Sequence, residues 1–158
     1  MKTLLASLAP ATAVAMACTS GASTPAAGKA LPPTVCERKI VTTNDVSVLL
    51  PAPIAPKLLP GDPQSCAFDG GGGATITISV RPGLGDVSVN AWASGTVPAP
   101  GSPVSGIGDR AVWQDTLREL IATKSNVLCD ISSTGVKGSA AEVRQRFAAL
   151  CGKIWSAP

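Results

Sequence analysis

The sequence predicts an α+β domain: an antiparallel sheet of about five strands, with a short N-terminal helix and a long C-terminal helix packed on it. Three observations carry this. Residues 75–80 alternate, with Ile76, Ile78 and Val80 on one face and Thr75, Thr77 and Ser79 on the other, the period of a half-buried strand. Residues 117–123 and 127–132 are strand-like runs joined by a hairpin turn at Lys124-Ser125-Asn126; Val127, Cys129 and Ile131 share a face. Ser139-Ala140-Ala141-Glu142 is a capping box, which launches a helix to about Trp155 with Val143, Phe147, Leu150 and Ile154 in one stripe.

Ahead of the domain, residues 1–17 read as a lipoprotein signal peptide. Lys2 precedes the apolar run Leu4-Leu5-Ala6-Ser7-Leu8-Ala9, which is too short to span a bilayer, and the small residues Ala15-Met16-Ala17 lead into Cys18. Cleavage there exposes a cysteine that takes lipid, a palmitate-type chain, so the expected address is the bacterial cell envelope, at the cell membrane or an outer membrane. Plain secretion is the alternative, with Ala15-Met16-Ala17 as an ordinary cleavage site and Cys18 as a spare thiol. Residues 18–35 have no apolar period and are rich in turn formers, which predicts a flexible tether. Residues 36–158 form the single folded domain.

Composition excludes several function classes. The chain has 158 residues and a net charge of +3, or +2 once Lys2 departs with the leader, too near neutral to predict nucleic-acid binding. It has no His, which removes the commonest general base and the commonest metal ligand together. With Cys18 acylated, Cys36, Cys66, Cys129 and Cys151 are left, an even number that suggests two disulfides in an exported domain. Their spacing contains no C-x-x-C knuckle for zinc, so no metal and no cofactor is expected. If the last helix packs on the last strand, Cys129 and Cys151 meet at the seam and Cys36 is left for Cys66, although four cysteines allow three pairings.

The other elements follow in order. Residues 43–50 predict a short helix that Thr43 caps, with Val46, Leu49 and Leu50 on one side and Pro51 as its stop. Residues 51–63 hold five prolines and predict an extended surface connection. Gly70-Gly71-Gly72-Gly73 joins Gln64-Ser65-Cys66-Ala67-Phe68-Asp69 to the alternating strand as a loose hairpin, because a phosphate cradle would need a helix to follow. Residues 86–94 fit either a strand, through Val87, Val89, Ala91 and Ala93, or a helix that Asp86 caps and that carries Val87 and Ala91. Residues 95–105 read as a loop. Gly106-Ile107-Gly108-Asp109-Arg110-Ala111 mimics a dinucleotide fingerprint, but a Pro-rich loop precedes it and strand-like residues follow, so it predicts a tight turn into a strand.

The leader, the tether, the helix TTNDVSVLL, then QSCAF, GIGDRAVW and the closing amphipathic helix together resemble a family of small exported lipoproteins abundant in actinobacteria, a domain class of unknown function. That family is similar in fold to the PsbP-like and LpqN-like proteins, which implies a curved antiparallel sheet with helices packed on it. The resemblance covers residues 36–155; Cys66 and the turn at Gly106 to Asp109 are its most specific marks. The chain departs from it in a long segment after Cys36 and in the additional pair Cys129/Cys151. The resemblance implies a fold and an address but no catalytic residues.

A non-catalytic binding or interaction module is therefore the expected function, with the membrane reached through the lipid anchor and an unknown envelope protein as partner. Trp92, Trp113, Asp109 and Arg110 are the candidate interaction surface, with Trp155 as a further tryptophan. A carrier of a small apolar ligand, in a pocket between sheet and helix, is the alternative. A hydrolase is the least favoured reading. Without His it would need a Lys base, for which no S-x-x-K exists, or paired carboxylates such as Asp62 with Asp69, which read as turn formers. Asp109, Arg110, Asp115, Arg118 and Glu119 lie close in sequence and are expected to form a solvated polar patch.

Overall fold

The computed structural model describes residues 34–53, 55–94 and 100–158; the leader, Cys18, most of the tether and positions 95–99 of the expected loop lie outside the described residues. The fold is α+β, built on a seven-stranded antiparallel sheet and a C-terminal helix. The strands are β1 (Lys57–Leu59), β2 (Asp62–Asp69), β3 (Thr75–Pro82), β4 (Ser102–Pro103), β5 (Arg110–Gln114), β6 (Glu119–Lys124) and β7 (Val127–Thr134). Their spatial order is β1-β2-β3-β7-β6-β5-β4: two meanders zipped together where β3 pairs with β7, Ile78 opposite Ile131.

The expected count of about five strands is corrected by the two edges. β1 lies inside the Pro-rich stretch and pairs with β2; β4 lies inside the expected loop and pairs with β5, Pro103 opposite Val112. Strands of three and two residues offer no alternation to read. The remaining strands fall where their patterns place them, and β6 and β7 are joined by Ser125 and Asn126, both at positive φ (50° and 57°), as a two-residue hairpin turn of this hand requires.

Helix α3 (Ala140–Ser156) begins at the Ser139 cap, where the Ser139 side chain accepts from the Glu142 amide and Glu142 Oε2 accepts from the Ser139 amide at 2.7 Å. Its stripe Val143, Phe147, Leu150, Cys151 and Ile154 is buried against Phe68, Ile76, Ile78, Leu120, Cys129 and Ile131 in the main core. The leading segment joins the same core through Val35, Val41, Val46, Leu49 and Leu50. Its helix α1 (Thr43–Val46) is one turn, shorter than expected, and Thr42 rather than Thr43 caps it.

Helix α2 (Gly85–Ala93) settles the ambiguous segment as a helix. It lies on the other face of the sheet, where Val89 packs with Val112, Ile121 and Leu128, and half-buried Trp92 joins them. The expected stripe through Val87 is corrected: Val87 is 69% exposed. Asp86 does not cap the helix with its side chain; its own amide donates to Asn126 Oδ1, 3.3 Å away in the β6–β7 turn. Gly85 is required at this junction, since a Cβ there would lie 2.0 Å from Thr123 Oγ1. No helix among the described residues is long and apolar enough to cross a membrane.

Candidate functional site

The cysteines pair as Cys36–Cys66 and Cys129–Cys151, with Cα separations of 5.9 and 5.8 Å. The first ties the leading segment to β2 and the second ties β7 to α3. Of the tryptophans, Trp113 is a correction to the expected surface. It is 5% exposed, its ring lies 6.3 Å from that of Phe147, and its Nε1 donates to Asp115 Oδ1.

The expected polar patch does not form one surface. Arg110 donates to Asn90 Oδ1 on α2 at 2.5 Å, Arg118 donates to the Gly138 carbonyl, and Glu119 turns toward β7. Asp62 and Asp69 are not a carboxyl pair either. Asp62 is bridged to Arg81 at 2.5 Å and Asp69 to Lys57. Hydrogen bonding from Ser65 is the main reason Asp62 titrates below its ordinary range, and that from Lys57 does the same for Asp69.

The turn Gly106 to Asp109 docks on the β6–β7 hairpin. The Asp109 amide donates to the Thr123 carbonyl at 2.8 Å, and Asp109 Oδ2 accepts from the Ser125 amide at 2.6 Å. Gly108 has φ +59°, and a Cβ on it would sit 2.3 Å from the Thr123 carbonyl oxygen and 2.8 Å from the Trp155 ring. Both the backbone hand and the close approach therefore demand glycine.

That hairpin, the leading segment, β2, β3 and the end of α3 line a pocket of about 340 Å³. Val35 and Ile154 are buried in its wall; Ile40, Val80, Val127 and Trp155 are half-buried; Arg38 and Lys124 are exposed at its margin. Its lining carries two cations and no carboxylate. The Trp155 Nε1 is buried and has no hydrogen-bond partner among the described residues. Sequence reading named Trp155 but missed Arg38, Val80 and Lys124, because five separate segments supply the wall.

A second feature lies on the sheet face away from α3, beside α2. There Ser65, Ser79 and Asp130 stand side by side on β2, β3 and β7: Ser65 Oγ and Ser79 Oγ are hydrogen-bonded, and Ser79 is in register with Asp130. Asp130 hydrogen-bonds Glu119 of β6. Burial pushes Asp130 up to about 8, the charge and hydrogen bond of Glu119 push the same way, and Arg81 pulls it back. Burial also raises Glu119, against the hydrogen bond from Asp130. The pair therefore keeps a proton on Asp130 at neutral pH. Only Glu119 reaches the shallow depression of about 310 Å³ beside it, where Thr75, Thr77, Ser132 and Thr134 also stand. A charged residue in the middle of a central strand was the available sequence signal for Asp130.

Among the described residues no group of three or more Cys, Asp or Glu is placed to hold a metal ion. No protein-family model matches the chain, and no curated protein or solved structure is significantly similar to it.

Proposed function

We propose that this chain is an exported, non-catalytic binding module, lipid-anchored at Cys18 in the bacterial cell envelope, which holds a small apolar ligand in the pocket at the end of α3. The single observation that carries the ligand reading is the pocket itself: about 340 Å³, at the small end of the range of roughly 300–1,000 Å³ for ligand sites. Its wall is mainly apolar, through Val35, Ile40, Val80, Val127 and Ile154, with Thr34 and Gln64 among its polar residues and the cations Arg38 and Lys124 exposed. The paired cysteines support the oxidising, exported address. In this reading the chain is a relative of the PsbP-like and LpqN-like lipoproteins, with a curved sheet and a short leading helix packed on it.

Binding is favoured over hydrolysis because Asp130 does not line the depression and only one carboxyl of the pair, Glu119, does. An envelope protein as partner is the second reading, favoured by Leu84 and Val87, 45% and 69% exposed at the start of α2. The test uses N-phenyl-1-naphthylamine, a neutral apolar fluorophore. Saturable binding at one site, abolished by Val80→Trp, is the expected result. Absence of saturable binding, or binding indifferent to Val80→Trp, overturns the carrier reading. The anchor is tested separately by intact mass of the membrane-extracted protein, where an unmodified Cys18 overturns it.

A further inference from the structure

We infer that the pocket at the end of α3 takes a single-tailed anionic amphiphile, its apolar body against Val35, Val80 and Ile154 and its charged head at the rim with Arg38 and Lys124. The inference rests on the carrier reading and adds the chemistry of the ligand.

Charge and exposure divide the pocket into two zones. Val35 (4% exposed) and Ile154 (7%) lie at depth, while Arg38 and Lys124 are exposed. Neither cation takes part in an ion pair among the described residues; the ion pairs there are Lys57–Asp69, Arg81–Asp62 and Lys153–Asp45. Two carboxylates adjoin the lining through backbone amides. Glu37 accepts from the Thr34 amide at 2.8 Å and Asp109 from the Ser125 amide, and neither lines the pocket. The lining itself thus carries two cations that form no ion pair among the described residues, beside a mainly apolar wall.

The end of α3 fixes where the head belongs. Ile154, Trp155 and Ala157 line one wall, and a helix C-terminus carries partial negative charge. Two of its last carbonyls are already satisfied, Gly152 by Ser156 Oγ at 2.8 Å and Ile154 by the Ala157 amide at 3.2 Å. That wall offers an anion no donor from the helix backbone, and its one unpartnered side-chain donor, the buried Trp155 Nε1–H, is neutral. The head therefore goes to the two cations. Volume sets the size: about 340 Å³ holds one short chain or a small ring system and excludes a two-chained lipid.

The test is displacement of N-phenyl-1-naphthylamine by decanoate, decyl phosphate and 1-decanol, which share one tail and differ in the head. Both anions should displace the probe at concentrations on the order of tenfold lower than decanol, the scale of two exposed charge contacts. That advantage should vanish in Arg38→Ala/Lys124→Ala, invert for Arg38→Glu/Lys124→Glu, and shrink at high salt. The cations are exposed and unpaired, so both variants should melt within a few degrees of the parent. A preference for decanoate or for decyl phosphate would assign the head as carboxylate or phosphate. Equal displacement by decanol and the anions, or an advantage that survives in the variants, overturns the inference and leaves the carrier reading standing. If the probe itself does not bind, the carrier reading fails and this inference with it.

Discussion

Asp130 keeps its proton to about pH 8 in the folded chain but gives it up near 3.8 once unfolded. Between those values the folded state binds more protons than the unfolded one, so stability falls as pH rises. Asp45, Asp62, Asp69 and Glu142 act in the opposite direction. For Asp45, burial pulls upward, but hydrogen bonds from Lys153 and Thr42 together hold the carboxyl below its ordinary value. For Glu142 the hydrogen bonds from Ser139 lower it. What these four contribute is present above their unfolded values and is lost as pH falls through their folded ones. Stability should therefore peak near the ordinary carboxylate range, at about pH 4–5, and fall from there toward pH 8. Asp130→Asn keeps a donor toward Glu119 and cannot ionise. It should flatten the alkaline limb and be more stable than the parent at pH 8.5 by about 1–3 kcal/mol, read by urea denaturation across pH. An unchanged alkaline limb would place the burden on another group. The residue was legible as an acid within a strand pattern, but its proton was not, because it depends on Glu119 eleven residues away and on Arg81 from β3.

Among the elements, the Gly106 to Asp109 turn makes the most local demands. Gly108→Ala should cost about 2–3 kcal/mol, combining left-handed strain with the collision against the Thr123 carbonyl. Gly106→Ala, at φ +79° with open space around it, carries the strain alone and should cost about 1–2 kcal/mol. Equal losses in thermal melts would mean that the close approach contributes nothing. The turn was readable because two glycines and an aspartate between a Pro-rich loop and an apolar run leave few alternatives. β3, β7 and α3 were readable for a related reason: each repeats one period long enough to be distinguished. α2 was not, since its valines and alanines at every second position suit a strand as well as a helix. A contact from Asn126, forty residues on, meets its first turn. β1 and β4 are too short to display any period, and each contains or adjoins proline.

At the scale of the whole molecule, two disulfides tie the leading segment and α3 to the same side of the sheet, and neither reaches α2. Cys36–Cys66 spans 30 residues and Cys129–Cys151 spans 22, so losing either should cost about 3–4 kcal/mol on chain-entropy grounds. Their effects on binding should differ. Cys36→Ala/Cys66→Ala frees the segment that supplies Val35, Arg38 and Ile40, and N-phenyl-1-naphthylamine affinity should fall, whereas Cys129→Ala/Cys151→Ala should lower the melting temperature with the probe still bound. Comparable affinity in the two variants would show that the first bridge does not organise the pocket. The pairing itself was legible from the helix stripe and the last strand. The pocket was not, because its wall is assembled by tertiary folding from five stretches, whose own patterns mark strands, a turn and a helix rather than a cavity. The two outermost strands have one more effect. Each is a stub: Lys57 on β1 is held by Asp69, and Pro103 on β4 has no amide hydrogen to offer. A foreign strand therefore finds no continuous row of free donors and acceptors to extend, and neither margin of the sheet is a ready template for fibril growth, however densely such molecules are crowded together.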